Sequence, residues 1–234
     1  MIWVAVAGIV AVGAVALYIA ARAGGTGWWR FVLAGAAGWL AAQVVKSLVV
    51  APLTLLAAGR GGQAASAASA LASHWWYIGF AALLPGVVEE LGKYFPLRWL
   101  RVRARGSALA LGVGASAVEA LTLVASLGAT AGHAHETALG ALIAVWERTW
   151  GVTFHAASAT IDGYAVWSGR ARWLIAAMGL HTLLDLGAAW YQHALAVSAP
   201  HAVIRAALAV TEVAALVIAL LALWLGRRLW ARAA

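Results

Sequence analysis

Leu84-Pro85-Gly86-Val87-Val88-Glu89-Glu90-Leu91-Gly92-Lys93-Tyr94 sets two adjacent carboxylates and a lysine inside a segment otherwise apolar enough for lipid. A charge at the centre of a bilayer costs at least about 2.5–3.5 kcal/mol even on the most lenient insertion scale, so an intramembrane ionisable residue is by default a functional-site candidate. Three such residues within five positions exceed what a simple anchor would carry. If this stretch lies in a membrane, other helices must supply the groups that make it tolerable.

The whole chain supports the first half of that statement. Its 234 residues are 65% hydrophobic and 10% charged, and the mean hydropathy is +0.89. These values lie far from the soluble globular range. Several apolar runs exceed the roughly 20 residues that a helix needs to cross the hydrocarbon core, which argues for a helical bundle and against a barrel of short alternating strands. The expectation is an all-α, polytopic transmembrane bundle forming a single integral-membrane domain over 1–234. The run from Ile2 to Ala20 has no basic region before it and lacks a convincing cleavage site, so it reads as a permanent first span. The absence of cysteine excludes disulfides and thiolate chemistry.

A net charge of +8 would suggest nucleic acid in a soluble protein. Here the positions of the basic residues give a topological explanation, and no nucleic-acid partner is expected. Apolar runs broken by Gly, Arg and polar clusters predict spans at about 2–21, 30–58, 73–98, 107–128, 137–168, 172–195 and 203–226. With alternate loops on one side, Arg22, Arg30, Arg98, Arg101, Arg103, Arg105, Arg170, Arg172, Arg227, Arg228 and Arg232 fall together, and Arg60 is almost alone opposite them. The positive-inside rule then puts the amino terminus outside and the carboxyl terminus in the cytoplasm. The 61–66 segment reads as a flexible outer linker. Trp28, Trp29, Trp75, Trp76, Trp99, Trp173 and Trp230 sit near predicted span ends, where amphipathic rings prefer the headgroup level. Ala108, Gly112, Ser116 and Ala120 form a small-residue ladder that lets one helix lie close to a neighbour.

The remaining polar residues concentrate inside the spans. At about 1.5 Å of rise per residue, Glu89, Glu119, His155, His181 and Asp185 lie roughly 14–20 Å from the same side, although they come from four helices running in alternating directions. Glu89 and Glu90 point about 100° apart, so one faces a shared cleft; Glu89 is the candidate, with Glu90 and Lys93 as the pair that sets its protonation. Arg148, His155 and Asp162 recur at sevens on one face with Glu147 beside it, and His181 and Asp185 are i,i+4. Lys46 and Arg205 read as snorkelling or locally paired, and His74, His133, His135, His193 and His201 as solvated. A lone buried histidine or aspartate in a bundle is often only a helix-to-helix hydrogen bond. Two carboxylates and two histidines in a pocket that admits water are what peptide hydrolysis inside a membrane requires. The same set could hold zinc through His155, His181 and Glu89, with the spare glutamate activating water. His-Glu-x-x-His is absent. Metal-free catalysis is the preferred expectation, with no cofactor, and zinc is the alternative.

Four ordered pieces of the chain carry a resemblance. Glu89-Glu90-Leu91-Gly92-Lys93-Tyr94 looks like a paired-glutamate motif, and Gly112-Val113-Gly114-Ala115-Ser116-Ala117-Val118-Glu119-Ala120 like a glycine-rich helix carrying the next glutamate. Glu147-Arg148 followed by Phe154-His155, and then His181-Thr182-Leu183-Leu184-Asp185, are similar to two histidine motifs. Together they resemble the YhfC family of membrane peptidases, within the group that holds the CAAX prenyl proteases, bacteriocin-processing enzymes and PrsW-like proteases. The resemblance covers about 84–190, the expected catalytic core. It departs from that group at Tyr94, where an arginine is frequent, and at Asp185, where the CAAX enzymes often carry Asn.

The resemblance implies an intramembrane endopeptidase in a prokaryotic plasma membrane, acting on a membrane-embedded or lipidated peptide in a cavity opening toward the cytoplasmic half. Glu89, Glu90, His155 and His181 are the catalytic candidates. Glu89 would activate water, and the histidines would stabilise the oxyanion or position the water. Lys93, Glu119, Glu147, Arg148 and Asp185 support them. A proton or ion relay of transporter type, and a peptide-binding immunity protein on the same scaffold, are the alternatives.

Overall fold

The computed structural model describes residues 2–58, 69–130 and 138–232. Arg60, the 61–66 linker, His133 and His135 lie outside the described residues. Seven long helices follow one another, here α1 (Ile2–Ala23), α2 (Trp28–Ala58), α3 (Trp75–Trp99), α4 (Arg105–Thr130), α5 (Ala138–Ser168), α6 (Arg172–Ala196) and α7 (His201–Ala231). Among the described residues there is no strand, so the all-α bundle holds. Five of the helices (α1, α2, α4, α6 and α7) are long and apolar enough to cross a membrane. The two that fall short are α3 and α5, which carry Glu89, Glu90 and Lys93 and Glu147, Arg148 and Asp162. Of these, Glu89, Glu90, Lys93 and Asp162 are buried between the other helices, while Glu147 is exposed.

Short connections gather the arginines at one end of the bundle. Gly25 and Gly27, with φ of 67° and 77°, make the tight passage from α1 to α2. At the same end Gly106, opening α4, lies against the Ala23 backbone, and Gly163 of α5 lies against Ala108 and Trp230. Trp29, Trp75, Trp76 and Trp99 are exposed, as belt residues should be. Trp230 differs, because its indole donates to the Thr160 carbonyl at 2.8 Å and its ring packs against Tyr164 and Trp167.

Helix packing is closest in this arginine-proximal half, where small residues let backbones touch. Gly38 of α2 lies against Gly92 of α3, and Gly114 of α4 against Val32 of α2. The α4 ladder faces α5: a Cβ on Gly112 would collide with the His155 carbonyl and the Ala156 backbone, and Ala108 lies beside Gly163. Leu97, Val102, Ala108, Leu111 and Ala159 close one core cluster, and Phe154, Ile161 and Tyr164 anchor another against α7. The half of α2 away from the arginines is different, with Val44, Val45, Leu48, Val49, Leu55 and Leu56 all exposed. The bundle is therefore tight at one end and looser at the other.

Gly112→Ala should destabilise the protein in detergent by about 1–3 kcal/mol, since the added methyl must displace α5 backbone. Gly13→Ala, where nothing lies within 4 Å, is the control and should unfold at or slightly above the wild-type temperature. Equal thermal midpoints for Gly112→Ala and wild type would contradict the close approach.

Candidate active site

The deepest part of the site is a buried ion pair. Lys93 and Glu90, at i,i+3 on α3, are 1% and 0% exposed, with Nζ 2.5 Å from Oε1. The Lys93 ammonium also donates to Ser158 Oγ at 2.6 Å and lies 3.3 Å from His155 Nδ1. Glu90 Oε1 in turn stands 2.5 Å from His181 Nδ1. A carboxylate can only accept, so the imidazole proton is on Nδ1 and the Nε2 lone pair of His181 points away from Glu90. Asp162, fully buried, faces Glu90. Neither Asp162 oxygen nor Glu90 Oε2 has another partner; one proton shared between the two carboxyls joins Glu90 Oε2 to one Asp162 oxygen, whereas two bare carboxylates would not survive there.

Glu89 lies on the next face of α3 and meets different partners. Lys46 of α2 is ion-paired with its Oε1, which also accepts from Gln43 Nε2 at 3.3 Å. Its Oε2 is left facing two imidazoles, His155 Nε2 at 4.0 Å and His181 Nε2 at 3.8 Å. On the far side of His155, Glu119 Oε2 is 3.0 Å from Nε2, while Oε1 is held by Arg148 at 2.8 Å. Glu119 Oε2 is buried without an aligned hydrogen bond, which leaves a free lone pair beside the site. Arg148 also reaches Glu147 at 3.0 Å, and Asp185 Oδ2 lies 3.6 Å from His181 Nε2.

These residues line a cavity of about 360 Å³. Glu89, Glu119, His155, His181 and Asp185 all border it, as do Lys46, Glu147 and Arg148; Glu90, Lys93 and Asp162 do not, and stand behind its wall. Pro85 and Ala81 are also in the wall. Proline has no N–H, so the Ala81 carbonyl one turn earlier has no helical donor and adds a polar group there.

The cavity extends from the histidines along α5 to Glu147, along α6 to Gln192 and along α7 to Thr211. All three directions lead away from the arginine-rich loops. The expected opening toward the arginine side is therefore corrected: that half is filled by the close small-residue packing of α4 on α5 and by Phe154, Ile161 and Leu97. Of the two readings of Lys46, snorkelling and local pairing, the structure takes pairing, although with a carboxylate on another helix, Glu89, and Lys93 pairs with Glu90 as expected.

Ser158, Asp162, Gln43 and Lys46 complete the network beyond the residues expected to form the site. Lys46 had a legible signal, being the one charge in the middle of an apolar helix. Asp162 shared a helical face with His155, and only its depth against Glu90 was hidden.

Glu89, His155 and His181 offer one carboxylate oxygen and two imidazole nitrogens within 4.8 Å of one another. Ligands of one tetrahedral zinc stand roughly 3.4 Å apart, from bonds of about 2.0–2.1 Å. The observed spacings, 4.0 and 3.8 Å from Glu89 to the two imidazoles and within 4.8 Å for the whole set, are too long for hydrogen bonds and wider than that value. Glu90 on His181 Nδ1 supplies the carboxylate that orients a metal-binding histidine. The donor set fits a divalent cation.

Residues 8–131 match the family model described as YhfC intramembrane metalloprotease. The matched stretch contains Glu89, Glu90, Lys93 and Glu119 and ends before His155 and His181. The comparisons with curated proteins and with solved structures returned no match.

Two expectations follow. Asp162→Asn keeps a donor for Glu90 Oε2 and should leave the thermal midpoint nearly unchanged, while Asp162→Ala should cost about 1–3 kcal/mol by stranding that oxygen; equal stability of the two would count against the shared proton. The chain has no native cysteine, so a thiol introduced at Ala188, in the cavity wall, is the sole target for a charged, impermeant methanethiosulfonate. It should react from the membrane side opposite to that which labels Ala104→Cys in the arginine-rich α3–α4 loop. Labelling of both from one side would overturn the assigned opening.

Proposed function

We propose, from the premise that this chain belongs to the YhfC intramembrane metalloprotease family, that Glu89, His155 and His181 hold a zinc-like cation and that Glu119 handles protons in peptide hydrolysis within the membrane. The observation that carries the reading is the convergence of these three ligand residues from α3, α5 and α6 around one gap. The family description weighs toward the metal alternative over the metal-free preference.

When bound, the cation would act as a Lewis acid, polarising the scissile carbonyl and making water acidic enough to attack near neutral pH. The protein's own groups do the rest. Lys46 and Gln43 hold Glu89 Oε1 and so aim Oε2 at the imidazoles. Glu90 fixes the His181 tautomer, and Lys93 with Asp162 fixes Glu90. Glu119 Oε2, anchored through its other oxygen by Arg148, is placed to take a proton from the attacking water and return it to the leaving amine. Asp185, on the open side of His181, adds an acceptor for a substrate N–H.

A substrate backbone has to lose water to reach this layer, which suits a peptide already in or against the bilayer, spanning or lipidated. With the arginine-rich end in the cytoplasm of a prokaryotic cell, such a peptide is cut in the outer half of the membrane. The domain works as one unit over 1–234, because α1 and α7 pack on the helices that carry the site.

Purified protein should contain about one zinc per chain by elemental analysis, and His181→Ala and Glu89→Ala should lose it. Glu119→Gln should keep the metal yet cleave a panel of transmembrane and lipidated peptides at least about 100-fold more slowly, the usual scale of general acid–base catalysis. Full cleavage by Glu119→Gln would remove its assigned role. Full cleavage by metal-free wild type would remove the cation.

A further inference from the structure

A second cavity, of about 570 Å³, lies at the arginine-rich end, some distance from the catalytic layer. It is bordered by Ser168 and Trp167 at the end of α5, Arg170, Arg172 and Trp173 at the start of α6, and Arg232 just beyond α7. Nothing in the hydrolytic mechanism uses it.

Its chemistry is one-sided. Three guanidinium groups converge from two separate chain segments, and among the described residues none of them pairs with a carboxylate. All eight acidic residues lie elsewhere in the sequence, none of them on this wall. Trp173 Nε1 is buried with no hydrogen-bond partner, an indole donor that is costly to leave unmade. The Arg172 guanidinium lies 5.0 Å from the Trp173 ring, which holds it over the cavity. The opposite wall is aromatic, with Tyr164 and Trp167 at 5.5 Å between ring centroids. Ser168 spends its hydroxyl proton on the Tyr164 carbonyl at 2.7 Å, leaving its oxygen lone pairs unfavourable to an anion but open to a hydroxyl.

The like charges repel one another, and the orphan indole needs an acceptor. A phosphate group answers both, with forked acceptance from arginine and a lone pair for the Trp173 N–H. The cavity lies where the arginines and tryptophans place the headgroup level, and its aromatic wall suits a glycerol backbone and the first methylenes of a chain. We propose that this cavity binds the phosphate of an anionic molecule, with a phospholipid headgroup as the fitting source, and so docks the arginine-rich end to the anionic leaflet.

The test is a titration of the detergent-solubilised, full-length protein followed by native mass spectrometry. Short-chain phosphatidylglycerol is compared with phosphatidylcholine and with sodium phosphate. One phosphatidylglycerol per chain should bind saturably. Arg170→Gln/Arg172→Gln/Arg232→Gln should weaken it at least about tenfold, given roughly 1 kcal/mol for each surface arginine. Arg22→Gln/Arg101→Gln/Arg103→Gln removes the same charge from the same end and should leave affinity within about twofold. Trp173→Phe keeps the ring, loses the donor and should weaken binding about threefold or more. Competition by sodium phosphate supports the site with a soluble source of the group; failure to compete supports the lipid source. Equal losses in the two triple variants, equal binding of phosphatidylcholine, or no saturable binding would overturn the proposal.

Discussion

Lys93 is an ammonium with 1% of its surface exposed in the middle of an apolar bundle, and its neighbours are organised by the need to satisfy it. Removing one partner of such a buried pair typically costs about 3–5 kcal/mol, because the other charge is left without water. Glu90 is therefore committed to Lys93, and its remaining capacity is divided between His181 and Asp162. Ser158 and His155 are committed from the other side. One charge thus ties α3 to both α5 and α6. It also sets the orientation of the two imidazoles that border the cavity.

The division between the adjacent carboxylates follows from this. Glu90 is buried behind the cavity wall and acts through His181, so its place is that of a positioning residue. Glu89, about 100° around the helix, meets the cavity with one oxygen and Lys46 with the other. The close glycine contacts of α2, α3, α4 and α5 hold the arginine-proximal half tight enough to keep water from the Lys93 network. Beyond the histidines the helices have fewer such contacts, and the cavity opens there. A dry scaffold on one side and a polar, open chamber on the other give a hydrolytic site both rigid orientation and access to water.

Much of this was legible in the sequence because membrane burial makes each charge informative. Glu89, Glu119, His155, His181 and Asp185 could be assigned to one layer from helical rise alone, and the structure brings their side chains together. The long helices were readable for the same reason. The side on which the cavity opens was not legible, since it depends on which half of each helix carries the close contacts. The α4 ladder shows the point: its spacing announced a close neighbour, yet only the fold shows that the neighbour is the backbone of His155 itself. Lys46 was visible as a charge that could snorkel or pair, and its partner on α3 was not legible, because the length of its side chain allows either outcome and only tertiary packing chooses.

The central claim is that this buried scaffold holds Glu89, His155 and His181 as the ligands of one cation. X-ray absorption at the zinc edge of the purified protein addresses it most directly, with no sulfur ligand available from cysteine to confuse the shell. The account predicts two imidazole nitrogens and at least one carboxylate oxygen at about 2.0–2.2 Å, with the imidazole signal halved in His181→Ala samples that retain any metal. Bound zinc with no imidazole scattering, or a spectrum unchanged by His181→Ala, would contradict it.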